Sequence, residues 1–420
     1  MINKLNIITN NTGTFSIYVY VPAGSIYENK KQSGCSHMLE HMLFKNKGDA
    51  TSNLSKSLTS IGSMYNAATY KDCTYYYIRT HYDNYKTAID LMSQIITNKN
   101  FSEDDLITER KVIIEEYNQS NDSFLRNFLV LANKSIMADD NIYGKSVIGN
   151  IKVLKNIDVQ ELKAYYKARY NDYVVVVNTD TKILGHVKKH LREMFGENKK
   201  YDFSDVNLLV NANKIEPKLI FINKNLNQYN TRLSFSTFPA NDAKDHIILS
   251  FLQYCLTGSG LFSLLNHELR EIRGLVYTIH SYSEVLRYGG FYYIQIGSSS
   301  NKTDYIISLI INIITNLKKK GLTPSVLDFY KTSYLSAMKR KLLDQDFRNE
   351  YHGLAFFYNA YVEEDKLIKI ISDISDKDIK AVSMKAFDYD KFGVISLGLY
   401  PNVDKITEDV YDIIDSYRKL

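Results

Sequence analysis

The chain of 420 residues contains an internal repeat, which limits its possible folds more than any other feature of the sequence. Three short segments recur in the same order, at offsets of 217, 212 and 217 residues. They are VPA at 21–23 with FPA at 238–240, GSMY at 62–65 with GLVY at 274–277, and IDVQELKA at 157–164 with ISDKDIKA at 374–381. Their shared order and spacing predict two copies of one domain. We place these domains at 1–200 and 217–420, with a linker at about 197–216.

Each copy combines strand-like and helix-like segments. In the first copy, FSIYVYV at 15–21 is rich in aromatic and β-branched residues, which predicts a strand. Residues 33–46 and 51–61 have the pattern of helices, and residues 64–80 predict two strands joined by a turn. The second copy repeats this order of segments. Strands interleaved with pairs of helices predict an α+β domain that is used twice.

Composition and charge exclude several classes of protein. Hydrophobic residues make up 45% of the chain and charged residues 24%, and the net charge of +5 comes from scattered lysines, so no nucleic-acid partner is expected. The N-terminus lacks a secretory signal, and no apolar run is long enough to span a membrane. Cys35, Cys73 and Cys255 are far apart and odd in number, which argues against a disulfide framework. We therefore expect a soluble intracellular protein without a membrane partner, in the cytoplasm or alternatively in an organelle matrix.

Two histidines and a glutamate lie close together in GCSHMLEHMLFK at 34–45. In a helix, His37 and His41 occupy positions i and i+4 and point the same way, and Glu40 lies on nearly the same face. Two imidazoles at this spacing can hold one zinc ion while the carboxylate accepts a proton from water. His-x-x-Glu-His is the reverse of a commoner zinc-protease motif and suits the same chemistry. The alternative is that both histidines are ordinary core or surface residues of a helix.

A catalytic zinc site also needs a third protein ligand, which we expect on another element. The helical segment SEDDLITERKVIIEEYNQ at 102–119 offers Glu109, Glu115 and Glu116. Glu109 and Glu116 are two turns apart and share a face of the helix, whereas Glu115 points elsewhere. On the helix pattern alone, a solvated acidic face is the alternative interpretation of these glutamates.

Three stretches of the first copy, taken in order, resemble the insulinase, pitrilysin and mitochondrial processing peptidase family of zinc peptidases. They are GSIYENKKQSGCSHMLEHMLFKNKG at 24–48, NAATYKDCTYYY at 66–77 and ITERKVIIEEYNQ at 107–119. In the second copy, GSGLFSLLNHELREIRGLVY at 258–277 is similar to the C-terminal signature of that family. The resemblance implies two homologous α+β domains that form half of a clamshell. Each domain is then a mostly antiparallel β-sheet packed against several α-helices.

The resemblance also implies roles for the residues of the predicted zinc site. Glu116 matches the glutamate that completes the zinc site of the family, which implies one Zn²⁺ per chain on His37, His41 and Glu116. Glu40 matches the general base. Glu109 matches a helper glutamate, which we expect to orient a zinc ligand through a hydrogen bond.

Further residues match the substrate contacts of the family. Phe44 matches a phenylalanine that lines a pocket on the leaving-group side of the scissile bond. Asn66 and Ala67 match the strand beside which the substrate backbone pairs. In the second copy, Arg270 and Tyr277 match the arginine and tyrosine that hold the substrate backbone or stabilise the oxyanion. Without the resemblance, an exposed arginine and a packing tyrosine would be the preferred interpretation of this pair.

The function implied is that of a zinc-dependent endopeptidase, which hydrolyses extended peptides or precursor segments inside a closed chamber. The chamber of the family consists of four such domains, so a chain with two domains is expected to form a homodimer, or a heterodimer with a homologous chain. Two alternatives stay open. The chain could be a non-catalytic, core-type subunit that binds partners, or a peptide-binding module that keeps zinc for structure.

Overall fold

The structure is a computed structural model that describes residues 4–45, 54–196, 206–299 and 301–419. Parts of three sequence predictions lie outside the described residues. They are residue 46 and residues 51–53 of the two predicted helices near the motif, and residues 197–205 of the predicted linker.

Groups of strands and groups of helices follow one another along the chain. The strands are β1 Lys4–Asn10, β2 Thr14–Val21, β3 Met64–Thr69, β4 Thr74–His81, β5 Val174–Asp180, β6 Leu219–Asn223, β7 Tyr229–Thr237, β8 Thr278–Leu286, β9 Gly289–Ser298 and β10 Phe392–Gly398. The α-helices are α1 Cys35–Leu43, α2 Leu54–Ser60, α3 Tyr85–Thr97, α4 Glu103–Asp122, α5 Phe124–Asn133, α6 Ile151–Leu154, α7 Val159–Arg169, α8 Leu184–Phe195, α9 Val206–Ala212, α10 Ala243–Gln253, α11 Leu264–Asn266, α12 Thr303–Lys319, α13 Pro324–Lys341, α14 Gln345–Phe357, α15 Glu364–Ser372, α16 Asp376–Ala386 and α17 Val403–Arg418. None of the described helices is both long and apolar enough to cross a lipid bilayer.

The two halves of the chain build the same sheet. The first sheet has five strands in the order β1-β5-β2-β4-β3, and the second has five in the order β6-β10-β7-β9-β8. In each sheet one pair is parallel, β1 with β5 and β6 with β10, and the other pairs are antiparallel. The predicted fold class, two α+β domains with mostly antiparallel sheets, is therefore confirmed. Strand β3, which carries Asn66 and Ala67, lies at the end of the first sheet.

The chain divides into two compact units that each take in a helix from the other half of the sequence. One unit comprises Met1–Phe124, Lys145–Val206 and Gln345–Phe357, and the other comprises Leu125–Gly144, Asn207–Asp344 and Tyr358–Leu420. Helix α14 thus belongs with the first sheet, and nearly all of α5 belongs with the second. The domain ranges 1–200 and 217–420 describe the sequence repeat and stay predictions.

The first sheet packs its apolar residues against helices on one face. Along β4, Thr74, Tyr76 and Ile78 are buried, whereas the residues between them are only half-buried. This alternation is that of a strand with one face on a hydrophobic core. By contrast, every residue of β5 is buried, which requires that both faces of this strand are covered.

Helix α14 covers the second face of β5 and β2. Asn178 of β5 donates from Nδ2 to Gln345 Oε1 and to Asn349 Oδ1, both at 2.8 Å. Gly353 lies so close to Tyr20 of β2 that a Cβ atom at this position would collide with the tyrosine side chain. A glycine is needed here because the helix backbone must approach the ring. The polar residue Asn178 is tolerated in a buried strand because its amide has partners on α14.

The second sheet is likewise covered by a helix from the other half of the sequence, α5. Phe128 and Ala132 of α5 are buried in one cluster with Ile395 and Leu397 of β10. The exchange of helices is therefore part of the repeat, because α5 and α14 occupy corresponding places in the two units.

Candidate metal centre

Helix α1 separates an apolar face from a polar one. Met38, Leu39 and Met42 are buried in the core of the first unit. The two histidines and the glutamate of the motif are half-buried. A helix places residues three and four apart on one face, so the apolar residues anchor α1 while the two histidines and the glutamate face away from the core.

The first turn of α1 is held by a buried carboxylate instead of an N-cap side chain. Gly34 precedes the helix with a φ of 99°, a left-handed conformation that favours glycine. Glu28 accepts hydrogen bonds from the backbone N–H groups of Gly34 and Ser36, both at 2.8 Å. Burial raises the pKa of Glu28 to about 7, although these hydrogen bonds act in the opposite direction. The contacts fix the start of α1, and hence the position of His37 in its first turn.

Helix α4 brings two of the predicted glutamates to the face of α1. Its N-cap residue Ser102 accepts a hydrogen bond from the N–H of Asp105 at 3.1 Å. Glu109 and Glu116 both approach the histidines of α1, and Glu115 between them is exposed. The spacing of two helical turns therefore places the carboxylates as the sequence pattern predicts.

His37, His41 and Glu116 form one cluster whose ligand atoms all lie within 4.8 Å of one another. Glu116 Oε2 is 3.7 Å from His37 Nε2 and 3.9 Å from His41 Nε2. These separations are too long for hydrogen bonds but close to the roughly 3.3 Å between two ligand atoms of a tetrahedral zinc site. Since the side chain of Glu116 is 42% exposed, the cluster borders solvent on one side. The donor set therefore fits zinc with an accessible coordination position.

Glu109 supports this fit by fixing the tautomer of His41. Its Oε2 lies 2.9 Å from His41 Nδ1, and its side chain is 5% exposed. Because a carboxylate accepts a hydrogen bond, Nδ1 carries the proton and the lone pair of Nε2 faces Glu116. Zinc needs this lone pair as a ligand.

Lys45 makes a contact in this site that the sequence patterns did not predict. Its Nζ lies 2.7 Å from Glu109 Oε1, so the carboxylate of Glu109 bridges Lys45 and His41. The two contacts together hold the carboxylate of Glu109 in place beside His41. The spacing of four residues between His41 and Lys45 is a signal that could have revealed this contact.

Glu40 lies beside the cluster and contacts the edge strand β3. Thr69 Oγ1 donates a hydrogen bond of 2.5 Å to Glu40 Oε2. Burial raises the pKa of Glu40, whereas the hydrogen bonds from Thr69 and the neighbouring His41 lower it. Thr69 was also missed, although it lies two residues after Ala67 and therefore on the same face of the strand.

The predicted substrate contacts of the first unit are Phe44, which directly follows α1, and Asn66 and Ala67 on β3. The ring centroid of Phe44 is 6.1 Å from that of Tyr65 and 6.0 Å from that of Tyr76. Asn66 is exposed and Ala67 is buried, and both lie on β3, the end strand of its sheet. An end strand has N–H and C=O groups that can pair with an added strand. The structure thus places Phe44 directly after α1, and Asn66 and Ala67 on the end strand whose last residue contacts Glu40.

Arg270 and Tyr277 belong to the second compact unit, where both side chains are exposed. Arg270 lies in the π-helical segment His267–Ile272, a rare backbone form that is frequent at functional sites. Tyr277 precedes β8, and its hydroxyl donates a hydrogen bond of 2.6 Å to Gln228 Oε1. Their predicted role in substrate binding stays a prediction.

Comparison with known families gives two matches that follow each other along the chain. The family described as Insulinase (Peptidase family M16) matches residues 6–149. The family described as Peptidase M16 inactive domain matches residues 156–334. The first range holds the whole cluster around His37, and the second holds Arg270 but no His-x-x-Glu-His sequence.

Several curated proteins are similar to this chain. A protein of Rickettsia felis named uncharacterized zinc protease is 25% identical over 394 residues, which cover 92% of this chain and 93% of the relative. The mitochondrial-processing peptidase subunit beta of Caenorhabditis elegans is 30% identical over 211 residues, 48% of this chain and 45% of the relative.

Solved structures with the same fold include a protease from Helicobacter pylori. It matches with a TM-score of 0.78 and 21% identity, over 94% of this chain and 97% of that chain. A chain of complex III from Candida albicans, solved with Inz-5 bound, matches with a TM-score of 0.75 and 11% identity, over 97% of both chains. At such low identity these likenesses show the fold alone.

Proposed function

The chain belongs to the insulinase family of peptidases, peptidase family M16, and from this premise we propose that it is a zinc-dependent endopeptidase. It hydrolyses extended peptides or precursor segments inside a closed chamber. The observation that carries this proposal is the cluster of His37, His41 and Glu116, within 4.8 Å of one another, with Glu40 beside it. The name zinc protease, given to relatives of nearly equal length, supports the same metal.

The residues of the first unit have distinct roles in this proposal. His37, His41 and Glu116 hold the zinc ion, which when bound supplies Lewis acidity that polarises the scissile carbonyl and makes water a stronger nucleophile. Glu40 accepts a proton from the attacking water and donates it to the leaving amine. Glu109 holds His41 in the orientation and tautomer that metal binding needs.

Substrate binds as an added strand beside β3. Its backbone pairs with the outer edge of this end strand at Asn66 and Ala67, so affinity comes from main-chain hydrogen bonds with little demand on sequence. Phe44, which packs on Tyr65 and Tyr76, lines a pocket for a side chain on the leaving-group side. A folded protein cannot offer such an extended segment, which restricts cleavage to peptides and unfolded precursor regions.

The proposed chamber requires a second chain. Arg270 and Tyr277 of one subunit act on the substrate backbone in the site of its partner, where their donors stabilise the developing oxyanion. The partner is a second copy or a homologous chain. The relative named as a subunit of mitochondrial-processing peptidase favours such pairing.

Mixed dimers test this assembly. Neither Glu40→Gln nor Arg270→Ala homodimers should cleave peptides at an appreciable rate. In an equal mixture, random pairing gives one site in about four that combines an intact Glu40 with an intact Arg270, so about a quarter of wild-type activity should return. Activity is measured after subunit exchange, with the fraction of mixed dimers determined by native mass spectrometry. The absence of any recovery from a sample that contains mixed dimers would contradict a site shared between subunits.

Cleavage of a mixed library of unfolded peptides tests the proposed function directly. The zinc-loaded protein should cut the peptides at internal bonds, identified by mass spectrometry, and a folded protein should stay intact. Chelation should abolish cleavage and added zinc should restore it, because the ligands bind the metal reversibly.

A protein that binds one zinc ion per chain yet cuts no peptide, alone or with a homologous chain, would contradict the proposal. The alternatives are then a non-catalytic, core-type subunit or a peptide-binding module with a structural zinc ion.

A further inference from the structure

The last residue of the edge strand β3 contacts the predicted general base. We infer that Thr69 is a positioning residue that holds the carboxylate of Glu40 in the orientation needed for proton transfer. This inference rests on the proposed function. It links the strand that pairs with the substrate to the residue that handles the proton.

The contact is direct and short. Thr69 Oγ1 lies 2.5 Å from Glu40 Oε2, within the range of strong hydrogen bonds from hydroxyl groups to carboxylates. It joins α1 to the end of β3 through two residues that are 29 positions apart in the sequence. Since side chains alternate along a strand, Thr69 and Ala67 face α1 while Asn66 points to the opposite side of the sheet.

The hydroxyl proton of Thr69 is available for Glu40. The neighbouring Thr74 Oγ1 lies 3.3 Å from Thr69 Oγ1 but only 2.8 Å from the carbonyl oxygen of Ala23. Thr74 Oγ1 is the donor in both contacts, so the single hydroxyl proton of Thr69 is not used there and serves the hydrogen bond to the carboxylate of Glu40. The carboxylate oxygen of Glu40 is the acceptor in the Thr69–Glu40 hydrogen bond.

Backbone hydrogen bonds fix the position of Thr69 and of the turn that follows it. Thr69 pairs with Thr74 across β3 and β4, and the following turn is closed by a hydrogen bond of 2.7 Å from Tyr70 N to Cys73 O. A second hydrogen bond, 2.9 Å from Ile26 N to Lys71 O, ties the turn to the segment before α1. Because the backbone of Thr69 is fixed in this way, its hydroxyl group holds the acceptor carboxylate more precisely than a hydroxyl group on a mobile loop would.

Thr69 therefore engages the carboxylate of Glu40 through its hydroxyl group and also through its backbone N–H. In the proposed complex the substrate backbone pairs with Asn66 and Ala67, so the same strand sets the position of both the substrate and the base. Loss of the Thr69 hydroxyl should disturb proton transfer but not the pairing of the substrate. The expected effect lies in kcat, with KM nearly unchanged.

Thr69→Val removes the hydroxyl and keeps the β-branched shape that the strand favours. We expect kcat to fall by about 10- to 100-fold, as for a misplaced catalytic group, and KM to change by less than about threefold. Thr69→Ser keeps the donor and should restore kcat to within about threefold of the wild-type value. Thr80→Val is the matched control, because Thr80 lies on β4 and donates to the carbonyl oxygen of Ile61, away from Glu40. All three variants should bind one zinc ion per chain.

A wild-type kcat in Thr69→Val, or equal losses in Thr69→Val and Thr69→Ser, would overturn the inference. Thr69→Ala replaces valine if the latter does not fold, as judged by thermal unfolding. Crystals of the zinc-loaded wild type and of the Thr69 variant give a readout that does not depend on activity. A Glu40 carboxylate that keeps its position without the hydroxyl would also overturn the inference. If the wild-type protein cuts no peptide, the proposed function fails, and the crystals alone decide whether Thr69 holds Glu40.

Discussion

Replacement of Glu40 by glutamine is expected to lower kcat by about 10²- to 10⁴-fold, the range typical of losing a general base, while each chain still binds one zinc ion. The amide is nearly the same size as the carboxylate, and its oxygen can still accept the hydrogen bond from Thr69. It cannot take a proton from the attacking water. The change therefore removes the proposed chemical step and keeps the local structure.

Peptide cleavage and zinc content are measured on the same preparation of Glu40→Gln. Glu115→Gln is the matched control, since it makes the same change of charge on an exposed side chain of α4. It should keep wild-type kcat and zinc content. Loss of zinc in Glu40→Gln would show that Glu40 helps to bind the metal, and a kcat within about threefold of wild type would contradict its role as general base.

The fold could be predicted where the sequence carries local or repeated signals. Matching segments predicted two related domains, and the resemblance to a known family implied mostly antiparallel sheets. The parallel pairs β1–β5 and β6–β10 were not foreseen, because parallel strands have no connecting turn that marks their pairing. The exchange of α5 and α14 was missed for a similar reason. An apolar helix face indicates burial but does not identify the sheet that covers it.

The zinc cluster was easier to predict than the contacts that support it. His37 and His41 are one helical turn apart, and Glu109 and Glu116 are two turns apart, so helix geometry alone places each pair on one face. Thr69 gave no such signal, since its acceptor Glu40 lies on another element and a threonine in a strand is common. Contacts between elements need the packed structure, whereas contacts within one helix do not.

Glu116→Ala is expected to weaken zinc binding by more than about 100-fold, because it removes a ligand and leaves two imidazoles to hold the ion. A loss of this size exceeds the roughly 10- to 100-fold effect typical of residues that only orient a ligand. Glu109→Ala provides that comparison, since Glu109 contacts His41 Nδ1 at 2.9 Å and is not among the three clustered ligand groups. The affinities are measured by competition with a chromogenic chelator.

The order of the affinities distinguishes the roles of the glutamates on α4. Glu115→Ala should bind zinc as the wild type does, Glu109→Ala less tightly, and Glu116→Ala least tightly of the three. Binding is expected to fall in this order because the exposed Glu115 touches neither histidine, Glu109 touches one through Nδ1, and Glu116 lies between both Nε2 atoms. Equal affinities of Glu115→Ala and Glu116→Ala would contradict the assignment of Glu116 as a ligand. If Glu109→Ala lost more zinc affinity than Glu116→Ala, Glu109 would be the ligand and Glu116 the residue that orients a histidine.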